Sequence, residues 1–192
     1  MGKIVVSQFV TVDGVIEDPG GSENWERGGW ALQIDRGPDG DQFKLDEVMA
    51  SDALLLGRRT YEGFAEAWPS RSGDFADKFN GMRKYVVSTT LTDPDWNNSV
   101  VIKDNVTDAI AKIREQHDGD VLVNGSAQLV RTLAENDLVD EYRLMVFPVV
   151  LGAGKQLFDQ LRGTRSLQLT ESKPVGPAGV IVLIYAPLVA AS

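Results

Sequence analysis

Hydrophobic positions along this chain of 192 residues follow two different periods. Short apolar, β-branched runs indicate strands, and apolar residues recurring every three or four positions indicate helices. The predicted strands are residues 3–12, 52–57, 85–88, 120–125, 140–150, 165–175 and 179–187. The predicted helices are residues 42–50, 107–116 and 126–136, with a further helix that begins at Arg58.

Apolar strands that alternate with helices indicate a sheet buried on both faces. We therefore expect one α/β domain over residues 1–187, with a mixed, mostly parallel sheet flanked by helices, and a tail of residues 188–192. The last two strands are expected to form an antiparallel pair. Residues 13–41 form a long segment rich in Gly, Asp and Glu, and its Trp25 and Trp30 favour a lid over disorder.

Charge and composition narrow the classes of function. The 19 basic and 28 acidic residues give a net charge of −9, which argues against an extended nucleic-acid or anionic-membrane surface. The absence of cysteine excludes disulfides, thiolate metal sites and thiol nucleophiles. The sequence has no signal-peptide pattern and no apolar run of about 18 residues, so we expect a soluble, cytoplasmic protein without a membrane span.

Two short motif matches and the only histidine do not indicate a binding site. GAGK at 152–155 resembles a phosphate loop, but the first glycine of that pattern falls on Val149, so we expect a turn that leads into a short helix. Residues 35–46 resemble a calcium loop, yet Gly37 offers no side-chain ligand. His117 is the only histidine, and we expect it to be solvated at a helix end. The sequence therefore predicts no metal site.

The stretch LLLGRRTYEGF, residues 54–64, places two arginines where a helix begins. A helix N-terminus carries partial positive charge, so these cations are repelled unless an anion lies beside them. Arg58, Arg59 and Thr60 would offer two cations and a hydroxyl group to such an anion. The alternative is a solvated helix start.

Three predicted strands end in small or hydroxylic residues, at Gly57, at Ser88 and at residues 124–126. Ligands of open α/β sheets bind at the carboxyl ends of strands, so these positions are expected to converge. Gly125 would let the backbone approach a pyrophosphate, and the next helix would offer free amides to it. Alternatively, Ser126 only caps that helix.

Five ordered segments resemble the dihydrofolate reductase superfamily. They are SQFVTVDGVI, LLLGRRTYEGF, KYVVSTTL, VLVNGSAQLVRTL and LVDEYRLMVFPVVLGAGKQLF, and they extend over nearly the whole chain. They are most similar to the reductase domain of bifunctional riboflavin-biosynthesis deaminase/reductases and its stand-alone relatives. The resemblance implies a three-layer fold, NADPH as cofactor, hydride transfer to a small C=N or C=O substrate, and commonly a homodimer.

The resemblance also implies roles for individual residues. Arg58 would face the 2′-phosphate of NADPH, and Asp13 would hydrogen-bond the substrate and support its protonation, directly or through water. Without the resemblance, Asp13 and Gly14 are better explained as a turn pair. Trp68 would form a wall of the substrate pocket. The remaining cofactor contacts would come from Gly57, Arg59, Thr60, Ser88, Thr89, Gly125, Ser126, Ala127 and Gln128.

Two departures from the family pattern leave the substrate open. Riboflavin-pathway reductases usually have a lysine where this chain has Val15, and Glu-Gly-Gly where it has residues 124–126, Asn-Gly-Ser. The first hypothesis is an NADPH-dependent reductase of a pterin-like, pyrimidine-like or other small carbonyl or imine substrate. The second is a dimeric NADP(H)-binding module or sensor that retains the fold without turnover.

Overall fold

The computed structural model describes residues 1–188, so the predicted tail of residues 188–192 lies outside the described residues except for Leu188. Eight strands are present: β1 Ile4–Thr11, β2 Ser51–Gly57, β3 Arg83–Val87, β4 Ser99–Ile102, β5 Asp120–Asn124, β6 Glu141–Phe147, β7 Leu167–Val175 and β8 Val180–Pro187. Five α-helices connect them: α1 Gly37–Met49, α2 Arg58–Ala67, α3 Asp74–Gly81, α4 Val106–Gln116 and α5 Ala127–Glu135.

One eight-stranded sheet has the order β4-β3-β2-β5-β1-β6-β8-β7. The first six strands in this order are parallel to their neighbours, whereas β8 is antiparallel to both β6 and β7. The predicted α/β fold with a mixed, mostly parallel sheet is confirmed. Strand β5, from later in the chain, lies between the two early strands β1 and β2 and pairs with both.

Helices cover both faces of the sheet. On one face, apolar residues of α4 and α5, such as Ile110 and Leu133, pack with Ile4 and Val6 of β1. On the other face, residues of α1, α2 and α3 pack with Val5 of β1 and with Leu54 and Leu56 of β2. Alternate residues of β1 therefore face opposite layers, which explains why most positions of the strand are apolar.

Several element boundaries differ from the predicted ones. Helix α3 and strand β4 were not predicted, because α3 is short and largely polar and β4 has only four residues. Helix α1 begins at Gly37 rather than at residue 42, because Pro38 occupies its first turn and is compatible with a helix start. Strand β6 ends at Phe147, since Pro148 follows it. Residues 157–160 form a turn, so the predicted short helix was wrong.

The long segment after β1 is folded against the domain. Trp30 is only 3% exposed, and its ring lies 5.5 Å from that of Phe147 in an edge-to-face arrangement. The indole nitrogen donates a hydrogen bond to the carbonyl oxygen of Glu17 at 2.9 Å. Trp30 is therefore a core residue that holds this segment in place, while Trp25 is partly buried.

His117 is not solvated, so that prediction was wrong. It ends α4, and its Nε2 lies 3.0 Å from the hydroxyl oxygen of Tyr85. Its side chain is 15% exposed. Packing against β3 rather than solvation explains its position. Within residues 1–188, no helix combines the length and apolar character needed to cross a membrane.

Candidate functional site

The carboxyl ends of five parallel strands form one edge of the sheet. The strand order places the ends of β3, β2, β5, β1 and β6 side by side. Ser88, Gly57, Gly125 and Asp13 follow or end four of these strands. The strand order therefore places the three predicted strand ends, at Gly57, at Ser88 and at residues 124–126, side by side.

A direct hydrogen-bond chain joins the ends of β2 and β5. The backbone N–H of Gly57 donates to Oγ of Ser126 at 2.8 Å, and that hydroxyl group donates to Oγ1 of Thr60 at 2.9 Å. The three residues belong to two segments about 70 residues apart in sequence. The Gly-Arg-Arg-Thr and Asn-Gly-Ser motifs thus form a single cluster.

Two glycines make this close approach possible. A Cβ atom on Gly57 would lie 3.0 Å from Oγ of Ser126, and one on Gly125 would lie 2.8 Å from Oγ1 of Thr60. Gly125 also has a φ of +59°, a left-handed conformation that L side chains rarely adopt. Larger residues at either position would push the two segments apart.

Ser126 also has a left-handed backbone, with φ 58° and ψ 52°, which is uncommon for a residue other than glycine. It stands at the N-cap position of α5, but its hydroxyl group makes no capping hydrogen bond. The first amides of α5 therefore have neither an intrahelical acceptor nor the Ser126 side chain. Interpreting Ser126 as a simple N-cap was wrong, because its hydroxyl group bridges to β2 instead.

Gln8 holds the glycine turn from the side of β1. Its Oε1 accepts a hydrogen bond from the N–H of Gly125 at 3.1 Å, and its Nε2 donates to the carbonyl oxygen of Gly125 at 2.8 Å. The side chain is 5% exposed. Sequence reasoning missed Gln8, although a glutamine inside an otherwise apolar strand was a usable signal.

The arginines at the start of α2 have different partners. Arg58 is paired with Glu62 on the next turn of the helix. Arg59 is exposed, and its charge helps to lower the pKa of Glu17, which places it on the side of the β1 loop. Gly57 precedes α2 without a side-chain cap, so the first amides of this helix are also available to an anion.

Ser88 and Thr89 follow β3 at the same edge. The Ser88 hydroxyl oxygen accepts hydrogen bonds from the N–H groups of Thr90 at 3.1 Å and Leu91 at 2.9 Å, and Ser88 is 8% exposed. Its hydroxyl group therefore shapes a turn, while Thr89 is exposed. Ala127 and Gln128 form the first turn of α5, where Gln128 is exposed.

Asp13 connects the end of β1 to the segment after β6. Its carboxylate accepts hydrogen bonds from Oγ1 of Thr11 at 2.6 Å, from the N–H of Gly152 at 2.7 Å and from the N–H of Leu151 at 3.2 Å. These hydrogen bonds, with Thr11 the strongest contributor, hold the pKa of Asp13 below its usual value. A carboxylate kept ionised in this way is poorly suited to donate its own proton near neutral pH.

A second contact joins the same two segments. The ammonium group of Lys155 donates to Oε1 of Glu17, and its backbone N–H donates to Oε2 of Glu17 at 3.0 Å. Burial acts to raise the pKa of Glu17, but the hydrogen bonds from Lys155 outweigh it and the pKa is lowered. The GAGK turn is therefore fastened to the β1 loop and does not form a separate phosphate loop.

Trp68 is not brought to this edge. It ends α2, so it lies about 15 Å along the helix axis from Arg58 at a rise of about 1.5 Å per residue. Its ring stacks on Phe75 at 5.2 Å and contacts Phe79 at 4.7 Å. The placement of Trp68 supports packing rather than the predicted role in a substrate pocket.

A buried polar network, missed by sequence reasoning, lies under α1. Oγ of Ser7 donates to Oε2 of Glu47 at 2.8 Å, and the ammonium group of Lys44 contacts both residues. Oε1 of Glu47 and Oδ1 of Asn124 are buried and lack hydrogen-bond partners in the described part of the chain. Helical periodicity predicted α1 but could not show which of its charged residues face inward. Among residues 1–188, no three His, Asp or Glu side chains are grouped to hold a metal ion.

The strand order, the two helical layers and the antiparallel β7–β8 pair define a single-domain α/β protein with a dihydrofolate reductase-like fold. The match to the family model described as the RibD C-terminal domain covers residues 2–181. The chain belongs to this family. Membership supports a reductase-type function without specifying a substrate.

Individual relatives are similar over most of the chain. The uncharacterized protein YyaP of Bacillus subtilis (strain 168) is 28% identical over 188 residues, which cover 95% of this chain and 94% of YyaP. The crystal structure of a Shewanella sp. PV-4 protein, provisionally assigned to riboflavin biosynthesis, is similar with a TM-score of 0.77 and 21% identity, over 98% of this chain and 99% of that protein.

Dihydrofolate reductase from Enterococcus faecalis, solved as a complex with NADP(H) and RAB-propyl, has the same fold. Its TM-score is 0.61 at 16% identity, over 97% of this chain and 96% of that enzyme. At this identity the similarity concerns the fold.

Proposed function

We propose that this protein is an NADPH-dependent reductase that transfers a hydride to a small pterin-, pyrimidine- or carbonyl/imine-type substrate. The nearest chemistry is that of the phosphoribosylamino-uracil reductase of riboflavin biosynthesis. The observation that carries the proposal is the cluster in which the Ser126 hydroxyl group joins Gly57 to Thr60. This cluster brings two helix N-termini and the arginines of α2 to one edge of the sheet.

The residues of this cluster fit the phosphates of a dinucleotide. Helix N-termini present free N–H groups and partial positive charge to anions, and arginine adds charge-assisted hydrogen bonds. Gly57 and Gly125 let the Ser126 and Thr60 side chains approach the backbone closely, since Cβ atoms at the two glycines would lie 3.0 Å from Oγ of Ser126 and 2.8 Å from Oγ1 of Thr60. Arg58 is assigned to the 2′-phosphate, and Arg59, Thr60 and the Gly125–Ser126 turn are assigned to the pyrophosphate.

When bound, NADPH supplies the hydride, and the protein contributes binding, orientation and local polarity. Gln8 and Ser126 keep the two phosphate-binding turns in fixed register. Asp13 holds the Leu151–Gly152 segment against the end of β1. We therefore assign Asp13 a positioning role next to the reacting centre, with any proton reaching the substrate through a different donor or through water.

The first test is cofactor binding. Arg58→Ala should weaken NADPH binding by about 1.5 to 3 kcal/mol, because a hydrogen-bonded charge pair with the 2′-phosphate is lost. NADH binding should hardly change, since NADH lacks that phosphate. Calorimetric titration of the wild-type protein and of Arg58→Ala, each with NADPH and with NADH, measures the two effects. Equal losses for the two cofactors, or none for either, would show that Arg58 does not read the 2′-phosphate.

Turnover is tested separately, by following NADPH oxidation with pterin, aminopyrimidine, quinone and small imine substrates. Activity on any of them that falls in parallel with NADPH binding in Arg58→Ala would support the reductase.

The alternative is a non-catalytic NADP(H)-binding module, and one observation favours it. Both carboxylate oxygens of Asp13, the acid predicted to support protonation, already accept hydrogen bonds from Thr11, Leu151 and Gly152. Tight NADPH binding without oxidation of NADPH by any substrate class would support the module.

A further inference from the structure

Arg58 already has an anionic partner inside its own helix. Its Nη1 donates to both carboxylate oxygens of Glu62, at 2.9 Å to Oε1 and 3.0 Å to Oε2. Glu62 lies four residues further along α2, so the two side chains share one face of the helix. The positive charge of Arg58 is therefore paired with the carboxylate of Glu62 in the same helix.

This ion pair is poorly explained by helix stability alone. The side chains of Arg58 and Glu62 are 41% and 47% exposed, and exposed pairs contribute little to folding. Their order is also the less favourable one, because an acidic residue stabilises a helix better when it precedes the basic residue by four positions. The pair is weak enough for a stronger anion to break.

We propose that Glu62 is a specificity-determining residue of the cofactor site, which competes with the 2′-phosphate of NADPH for Arg58. This inference rests on the proposed function. A phosphate monoester carries a charge of about −1.5 to −2 and three acceptor oxygens, so it can displace one carboxylate from a guanidinium group.

Glu62 therefore lowers the affinity of the site for cofactors that carry a 2′-phosphate. The same competition acts on NADPH and NADP⁺, because both carry the 2′-phosphate, and it favours exchange of the cofactor between turnovers. NADH lacks the 2′-phosphate, so its binding does not involve Arg58 and is not affected by Glu62. The expected selectivity for NADPH is thus lower in this protein than Arg58 alone would confer.

The test uses Glu62→Gln, which keeps the shape of the side chain and removes its charge. The dissociation constant for NADPH should fall by about 2- to 5-fold, the range that corresponds to the loss of an exposed ion pair. The dissociation constant for NADH should stay unchanged. Glu66→Gln is the matched control, because Glu66 is an exposed glutamate one turn further along α2. It should leave both affinities unchanged.

A double-mutant cycle separates direct competition from general charge effects. In the Arg58→Ala background, Glu62→Gln should no longer improve NADPH binding, because the group they compete for is gone. Weaker NADPH binding in Glu62→Gln would show that Glu62 orients Arg58 for the phosphate, and would overturn the competition. An equal gain in Glu66→Gln, or a gain that persists without Arg58, would overturn it as well.

Titration of the wild-type protein shows whether a negative result refutes only the role of Glu62 or also the proposed reductase function. If the wild-type protein binds NADPH and Arg58→Ala weakens that binding, but Glu62→Gln changes nothing, only the role of Glu62 is refuted. If the wild-type protein binds neither cofactor, the proposed reductase function is refuted together with it.

Discussion

The pKa of Lys84 depends strongly on the surroundings of its side chain. The residue is fully buried, its ammonium group donates to the carbonyl oxygens of Asn80 and Met82, and Nζ lies 4.2 Å from the centre of the Trp96 ring. Burial lowers the pKa of Lys84 from 10.5 to about 8. Nothing in the pattern YVVS that follows Lys84 indicated a buried cation, because burial of a charged residue at a strand start depends on which loop covers it.

The lowered pKa of Lys84 makes a signed prediction about stability. Between pH of about 8 and 10.5 the unfolded chain binds more protons at this residue than the folded chain. The contribution of Lys84 to the free energy of unfolding should therefore rise with pH across that window and be least favourable below it. Lys84→Met removes this titration. Urea denaturation of both proteins over the window should show that wild type gains stability relative to the variant; a constant or shrinking difference would contradict the assignment.

At the scale of elements, the sequence predicted the strands better than the loops. Runs such as DALLLG and DVLVNG identified β2 and β5, since only a sheet covered on both faces buries such strands. The residues that join elements were harder to interpret. The hydroxyl group of Ser126 bonds Gly57 rather than capping α5, because the meeting of β2 and β5 depends on a strand order that no local pattern contains.

The segment that Asp13 fastens can be tested by hydrogen exchange. Asp13→Asn removes the negative charge and leaves at most one amide oxygen to accept the N–H groups of Leu151 and Gly152. The free energy of local opening at these amides should fall by about 1 to 3 kcal/mol. Exchange monitored by mass spectrometry over residues 148–157 measures it. Asp159→Asn, an exposed acid in the neighbouring turn, is the control, and unchanged protection in Asp13→Asn would argue that the carboxylate does not hold the segment.

At the scale of the whole molecule, the far end of the sheet bears on oligomeric state. Strand β7 is an edge strand of nine residues, of which only Val175 is buried. Leu169 and Ile181 are 48% and 41% exposed. Leu169 pairs with Tyr185, so it shares one face of the sheet with Ile181. Exposed apolar side chains next to a sheet edge are normally covered by a partner, so the face that carries Leu169 and Ile181 is the expected contact of a two-fold homodimer.

Light scattering at micromolar concentration should give about twice the mass of one chain. The combined variant Leu169→Lys and Ile181→Lys should give the mass of a single chain, because two buried charges would oppose the contact. Leu32→Lys is the control, since Leu32 is 75% exposed but lies on the segment before α1. A wild-type mass of one chain would refute the dimer, and an unaffected dimer in the double variant would place its interface elsewhere.

The position of β5 determines when the candidate site can form during folding. Strands β1 and β2 are not hydrogen-bonded to each other, and both pair with β5, which begins at Asp120. The nascent chain therefore contains all of β1 and β2 long before β5, the strand that joins them, has left the ribosome. The Gly57–Ser126 contact can close only after that insertion, so the proposed phosphate-binding cluster cannot form before β5 has joined the sheet.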